Sequence, residues 1–241
     1  MRRILTLIAM LLYMSTQGQS TTSIGVFPTI DHSGTISNKL EYSLYYFGGL
    51  NLINTKVNGI EDPANFFVFY SEQALTYKLN SHLSFTGSYV YERQHPTENN
   101  YRNENRFYLQ STYKYTLGRT SLKHRLRFDG RFIENRTTGE TPFTSRARYL
   151  IGLSTPLQKT KDNLYFSAYN EFFFNTYKAS NTIYGENWAF AGIGIKTAKA
   201  GNFEVGPLYI FWVNNSAWKD LTNFYYLQFA WSTHIDLRRK K

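Results

Sequence analysis

From Leu122 to Phe132 the chain alternates without interruption. Leu122, His124, Leu126, Phe128, Gly130 and Phe132 form one set of positions, and Lys123, Arg125, Arg127, Asp129 and Arg131 form the other. A helix mixes two such sets around its circumference, whereas a strand sends them to opposite faces. This strand therefore places one face against an apolar phase and the other against a polar one. Few folds accept such a strand, and a barrel with lipid outside and a polar lumen is one of them.

The same separation recurs along the chain. Phe107, Leu109, Tyr113, Tyr115 and Leu117 oppose Arg102, Glu104, Arg106, Gln110 and Lys114 between Tyr101 and Leu117. Phe143, Ala147, Tyr149, Ile151 and Leu153 oppose Arg146 and Arg148. The last segment sets Tyr225, Leu227, Phe229, Trp231, Ile235 and Leu237 against Tyr226, Gln228, Ser232, His234 and Asp236. It is similar to the apolar closing strand by which outer-membrane barrels are recognised for insertion, although it ends in basic residues where an aromatic one is usual. Weaker alternation marks Lys39–Gly48, Phe66–Leu79, His82–Arg93, Leu164–Asn175, Asn187–Lys196 and Asn202–Phe211.

These segments predict ten strands. Their connectors alternate between short, near residues 80–81, 118–120, 158–162 and 198–201, and long, over 49–65, 94–100, 136–142, 176–186 and 212–222. Outer-membrane barrels carry short turns on the periplasmic side, longer loops outside, and even strand counts. The expectation is an all-β, antiparallel up-and-down transmembrane barrel of about ten strands, with both ends in the periplasm. Twelve strands is the alternative, should a long loop hide another pair.

The first residues supply a route to that location. Arg2 and Arg3 precede an apolar run from Ile4 to Met14, followed by small and polar residues, which is the layout of a secretory signal peptide over residues 1–18. A spanning helix needs about 20 apolar residues, more than this run offers. Residues 19–37 are expected to be a plug, an extra strand or a periplasmic extension, because Pro28 disfavours a central strand. Residues 38–237 form the barrel, and residues 238–241 a basic tail.

A soluble barrel of the lipocalin type shows the same periodicity turned inside out. Three features favour the membrane form: about ten strands instead of eight, connectors of alternating length, and 18% aromatic residues, many near strand ends where interface girdles sit. The chain has no cysteine, so sheet closure must replace disulfides as the source of stability. Its 27 Lys and Arg exceed 17 Asp and Glu, but two of them lie in the leader and the rest are dispersed. That dispersal, with no recognisable module, speaks against nucleic acid as a partner.

From His124 onward the chain resembles an uncharacterised bacterial family of outer-membrane barrels, domain of unknown function 2490. The resemblance rests on His124, Arg125, Arg127, Arg131, then Arg146, Arg148, Tyr149, then Asn170, Glu171, Phe172, and late Gly192 and Gly194. It departs from the family pattern at Trp188 and Pro207. The resemblance implies a barrel in the outer membrane and brings no activity with it.

The polar faces are where chemistry is expected. Arg125, Arg127, Arg131, Arg146 and Arg148 lie on adjacent strands and project into one part of the lumen, with Glu104, Asp129, Glu171 and Glu204 as lumenal carboxylates. Two readings follow. Arginine forks select a small anion, phosphate or carboxylate, or a salt-bridge network fills a narrow barrel. No enzyme is expected, since His32, His82, His95, His124 and His234 have no Ser at a telling spacing. A lumen- or rim-sited hydrolase of lipid or peptide, using His95 with Glu98 and Glu104, or His234, is the alternative. Spacing supports no metal site and no cofactor. The expected partners are outer-membrane lipid, the barrel-assembly machinery during insertion, a small anion, and an envelope complex of which the chain is an accessory subunit.

Overall fold

The computed structural model describes residues 19–56, 59, 61–160, 162–178, 182–214 and 220–238. The expected leader over residues 1–18, and residues 239–241 of the basic tail, lie outside the described residues.

All ten alternating segments form strands. They are β2 (Leu40–Thr55), β4 (Asn65–Lys78), β5 (Leu83–Gln94), β6 (Arg102–Leu117), β7 (Thr120–Ile133), β8 (Phe143–Pro156), β9 (Leu164–Tyr177), β10 (Tyr184–Lys196), β11 (Asn202–Val213) and β12 (Asp220–Asp236). Two further strands complete the set, β1 (Gln19–Thr35) and the two-residue β3 (Glu61–Asp62). No helix occurs among the described residues. From β2 through β12 each long strand pairs antiparallel with the next, and β3 folds back on Asn54 and Thr55.

The segment 19–37, left open between plug, extra strand and extension, is the strand that closes the barrel. Of its residues, β1 pairs antiparallel with β2, from Thr22↔Thr55 to Thr35↔Glu41, and parallel with β12, from Gln19↔Asp220 to Thr35↔Asp236. The barrel wall therefore has eleven strands. A meander reverses direction at each turn, so an odd number brings its first and last strands together pointing the same way. Strict antiparallel pairing and an even count give way to that geometry. So does the expectation of both chain ends at one rim: β1 starts at the long-loop rim beside Asp220, and β12 ends at the short-turn rim beside Thr35.

Pro28 is accommodated because the ladder to β2 skips it. Pairing stops at Val26↔Leu50 and resumes at Thr29↔Phe47, so the missing N–H falls inside a gap in that ladder. Gly25 sits at a bulge, where a Cβ would fall 1.9 Å from the Leu50 carbonyl oxygen. The tightest turn, Gly118–Arg119 between β6 and β7, has Gly118 at φ +60°, the first-position glycine that a two-residue hairpin favours.

A path along cross-strand partners from Thr35 passes through Glu41, Thr76, Thr86, Gln110, Arg127, Arg148, Phe173, Glu186, Trp212 and Thr222, and returns to β1 at Thr21. The fourteen-residue stagger between Thr35 and Thr21 is the shear of a strongly tilted barrel. Its outer surface is apolar. Phe107, Leu109 and Phe128 are 56%, 72% and 57% exposed. Outward polar side chains pair with one another, Asn170 with Asn187 at 2.7 Å and Gln73 with Ser71 at 2.7 Å.

Candidate functional site

An eleven-stranded barrel is wider than the eight-stranded size that side chains just fill, so its interior needs long residues that reach the axis. Two walls supply them. Strands β1, β2, β4 and β10–β12 contribute Phe27, Phe47, Tyr70, Phe190, Leu208, Ile210, Phe224 and Tyr226, in one buried cluster with Val90 and Tyr108. Phe47 stacks on Phe27 at 4.7 Å and on Tyr70 at 4.3 Å between ring centres, and Trp188 meets Phe27 edge-on. Strands β6–β8 contribute the arginines, and β4–β7, β9 and β10 the carboxylates that meet them.

All five arginines expected in the lumen are there, joined by Arg106. Glu104 accepts from Nε and an amino group of Arg131, both at 2.7 Å, and from Arg106 Nε at 2.7 Å. Arg106 also reaches Glu92 at 3.0 Å. Asp129 accepts from Arg146 Nε at 2.8 Å and lies 3.8 Å from Arg148. Arg148 Nε donates to Glu171 at 2.8 Å, and Arg125 donates to the same carboxylate oxygen at 2.6 Å. Arg146 extends to Glu186 at 3.2 Å. Arg127 lies 3.4 Å from Glu72, donates to Gln110 at 2.9 Å, and stacks its guanidinium 3.7 Å from the centre of the Tyr108 ring. Glu72 is also held by the hydroxyls of Tyr70 and Tyr108, at 2.7 and 2.6 Å.

The outcome is a belt of six arginines against six carboxylates, Glu72, Glu92, Glu104, Asp129, Glu171 and Glu186. Its middle is buried: Arg106 is 1% exposed and Arg127 4%. Of the two sequence readings, this arrangement matches a wall-filling network, since every arginine of the belt reaches at least one carboxylate, with Arg125 Nε alone among their buried nitrogens left without a partner. An interior cavity of about 560 Å³ remains, and its lining reaches from Glu186 and Trp212 at the long-loop end to Asp31, Lys123 and Tyr165 at the other.

Glu204 does not join the arginines. It lies near the short-turn rim of β11 and accepts from Ser167 at 2.5 Å, two strands beyond Glu171. Sequence reading missed Glu72, Glu92 and Glu186 as members of the belt. The signal for Glu72 is its two-residue spacing from Tyr70, whereas Glu186 falls in a predicted loop because β10 begins three residues earlier than its alternation does.

The histidines behave differently from one another. Outward-facing His124 lies among Tyr115 and Tyr149, with Nδ1 2.8 Å from the Tyr149 hydroxyl. His95 contacts Glu98 at 3.2 Å beyond the end of β5, but Glu104 turns inward to the arginines, so the expected trio does not assemble. Ser33 and His234 meet across the parallel seam, Oγ to Nδ1 at 2.9 Å. No group of three His, Cys, Asp or Glu side chains suited to a metal ion occurs among the described residues.

These features define a closed β-barrel with an apolar exterior and a charge-paired interior. The sequence profile described as "Protein of unknown function (DUF2490)" matches residues 35–236, and the chain belongs to that family. Comparison with curated proteins and with solved structures finds no match.

The belt's coupling sets its response to mutation. Glu104→Gln leaves Arg131, and in part Arg106, without a counter-charge in a buried site, a loss of about 3–5 kcal/mol. The urea midpoint of the folded barrel in detergent falls accordingly. An unchanged midpoint contradicts the coupling.

Proposed function

We propose that this chain is an integral β-barrel of the bacterial outer membrane, with a structural or passive solute-handling role and a lumen too filled for free conduction. The observation that carries the reading is the separation of polarity across one wall: leucine, phenylalanine and tyrosine outside, neutralised charge inside. Soluble monomers rarely expose apolar patches beyond a few hundred Å², because water penalises them. Here the apolar band runs around the barrel, from Ile24 and Ile30 on β1 to Leu227 and Phe229 on β12. No helix among the described residues is long and apolar enough to cross a membrane, so any crossing is made by strands, which satisfy their backbone groups only when closed.

Single-tryptophan variants in vesicles of brominated phospholipid test it. Outward Trp231 is quenched by brominated acyl chains, and inward Trp188 is not. Equal absence of quenching at both positions refutes the membrane reading in favour of a soluble barrel.

One observation favours a second reading, a rim-sited hydrolase. Thr35 Oγ1 donates to Glu41 at 3.3 Å, so its oxygen is free to accept from His234 Nε2 at 3.0 Å. That tautomer leaves Nδ1 as an acceptor for the Ser33 hydroxyl, which also lies 3.2 Å from the Thr233 carbonyl. The polarity of the chain is that of a base poised on a nucleophile. A fluorophosphonate probe labels Ser33 in this reading, and His234→Ala abolishes the labelling. An unlabelled Ser33 removes the hydrolase from consideration.

A further inference from the structure

Two lumenal lysines stand outside the pairing of six arginines with six carboxylates. Lys114 on β6 and Lys123 on β7 are direct cross-strand partners, on the inward set of positions of both strands. Among the described residues, neither ammonium has a carboxylate within 4.0 Å or a hydrogen-bond partner. Like charges placed opposite each other across a ladder destabilise it, and the carboxylates of Asp31 and Glu171 offset that repulsion only from beyond 4.0 Å.

A third donor adjoins them. Arg125, two residues further into the lumen on β7, gives one amino group to Glu171, while its Nε is buried with no partner. A buried donor left unsatisfied is costly, and charged donors are the most costly of all. Lys114 is exposed, Lys123 half-buried, and the Arg125 side chain 17% exposed, so the three cations form a path from the short-turn rim inward. Lys123 and Arg125 line the interior cavity together with the rings of Tyr45 and Tyr169. The acids on the same lining are otherwise placed: Glu171 is taken by Arg125 and Arg148, Glu204 by Ser167, and Asp31 stands on β1 beyond ion-pair distance of either lysine.

We propose that the short-turn half of the lumen is a binding site for a small phosphate- or carboxylate-bearing anion, seated between Lys123 Nζ and Arg125 Nε with Lys114 at its entrance. A bound oxyanion fills the vacant Arg125 donor and separates the two lysine charges, relieving both costs at once. The site adjoins the arginine belt and shares Arg125 with it, taking the Nε that the belt leaves without a partner. It gives the passive solute-handling role a ligand class, and it rests on that reading only in requiring the lumen to open to water at this rim.

The test uses the full chain folded in detergent, titrated calorimetrically with inorganic phosphate and, separately, with succinate. At least one probe binds saturably at one site per chain, and the preferred probe identifies the anion class. Lys123→Met weakens that binding at least about tenfold, the loss of one charged hydrogen bond, whereas Lys178→Met in a long loop leaves it unchanged. In anion-free buffer the Lys114→Met/Lys123→Met double variant has a higher urea midpoint than the parent, because a repulsion has been removed. The proposal is overturned if neither probe saturates, if binding survives Lys123→Met, or if the double variant is the less stable, which makes the lysines structural. Micelles keep this outcome separate from the membrane reading. A barrel quenched by brominated lipid that binds neither anion loses only the site, and one that binds anion without quenching loses only the membrane.

Discussion

Closure of a sheet with an odd number of strands is the constraint on which the rest of the molecule depends. Ten strands meander antiparallel from β2 to β12 and leave two edges, each a row of unpaired backbone donors and acceptors. Inserting β1 seals both, with an antiparallel ladder on one side and a parallel one on the other. The parallel seam fixes the stagger of the barrel and sends the two ends of the wall to opposite rims. It also brings Ser33 beside His234, residues separated by almost the whole chain.

The width that eleven strands create explains the interior. Apolar side chains alone reach the axis from one wall, where phenylalanine, tyrosine and tryptophan stack. Arginine, the longest side chain, reaches it from the other, bringing along the carboxylates that its charge requires. A buried ion pair adds little net stability over an apolar filling, yet removing one partner is costly, so the belt behaves as a unit. The same logic isolates the lysine pair: the belt's carboxylates are taken by arginines, and Asp31, an inward acid outside the belt, stands beyond 4.0 Å of Lys114 and Lys123.

Much of this was legible in the sequence, and the limits have physical causes. Alternation exposed ten strands because outward Leu, Phe and Tyr contrast with inward Arg, Glu and Gln, as along β7. It under-reported β1, whose inward positions hold Ser23, Gly25 and Thr29 and whose Pro28 argues against a strand unless the gap in its ladder is known. The arginine cluster could be read from parity on neighbouring strands. Its partners Glu72 and Glu186 come from strands on other parts of the wall, and only the shear decides which residues share a level. Glu204 shows the converse: correct parity placed it in the lumen, and its height in the barrel kept it from the arginines.

The parallel seam is therefore the claim to test first, and the absence of cysteine from the chain gives a clean background. The outward partners Ile24↔Tyr225 and Ile30↔Trp231 are in register across it. Adjacent strands hold paired Cα atoms at roughly 5 Å, within disulfide reach. Oxidation of the Ile30→Cys/Trp231→Cys barrel gives a crosslinked, faster-migrating species in high yield, as does Ile24→Cys/Tyr225→Cys. Crosslinking of Ile30→Cys/Tyr225→Cys in their place, the pair an antiparallel seam brings together, contradicts the eleven-stranded closure and everything argued from it.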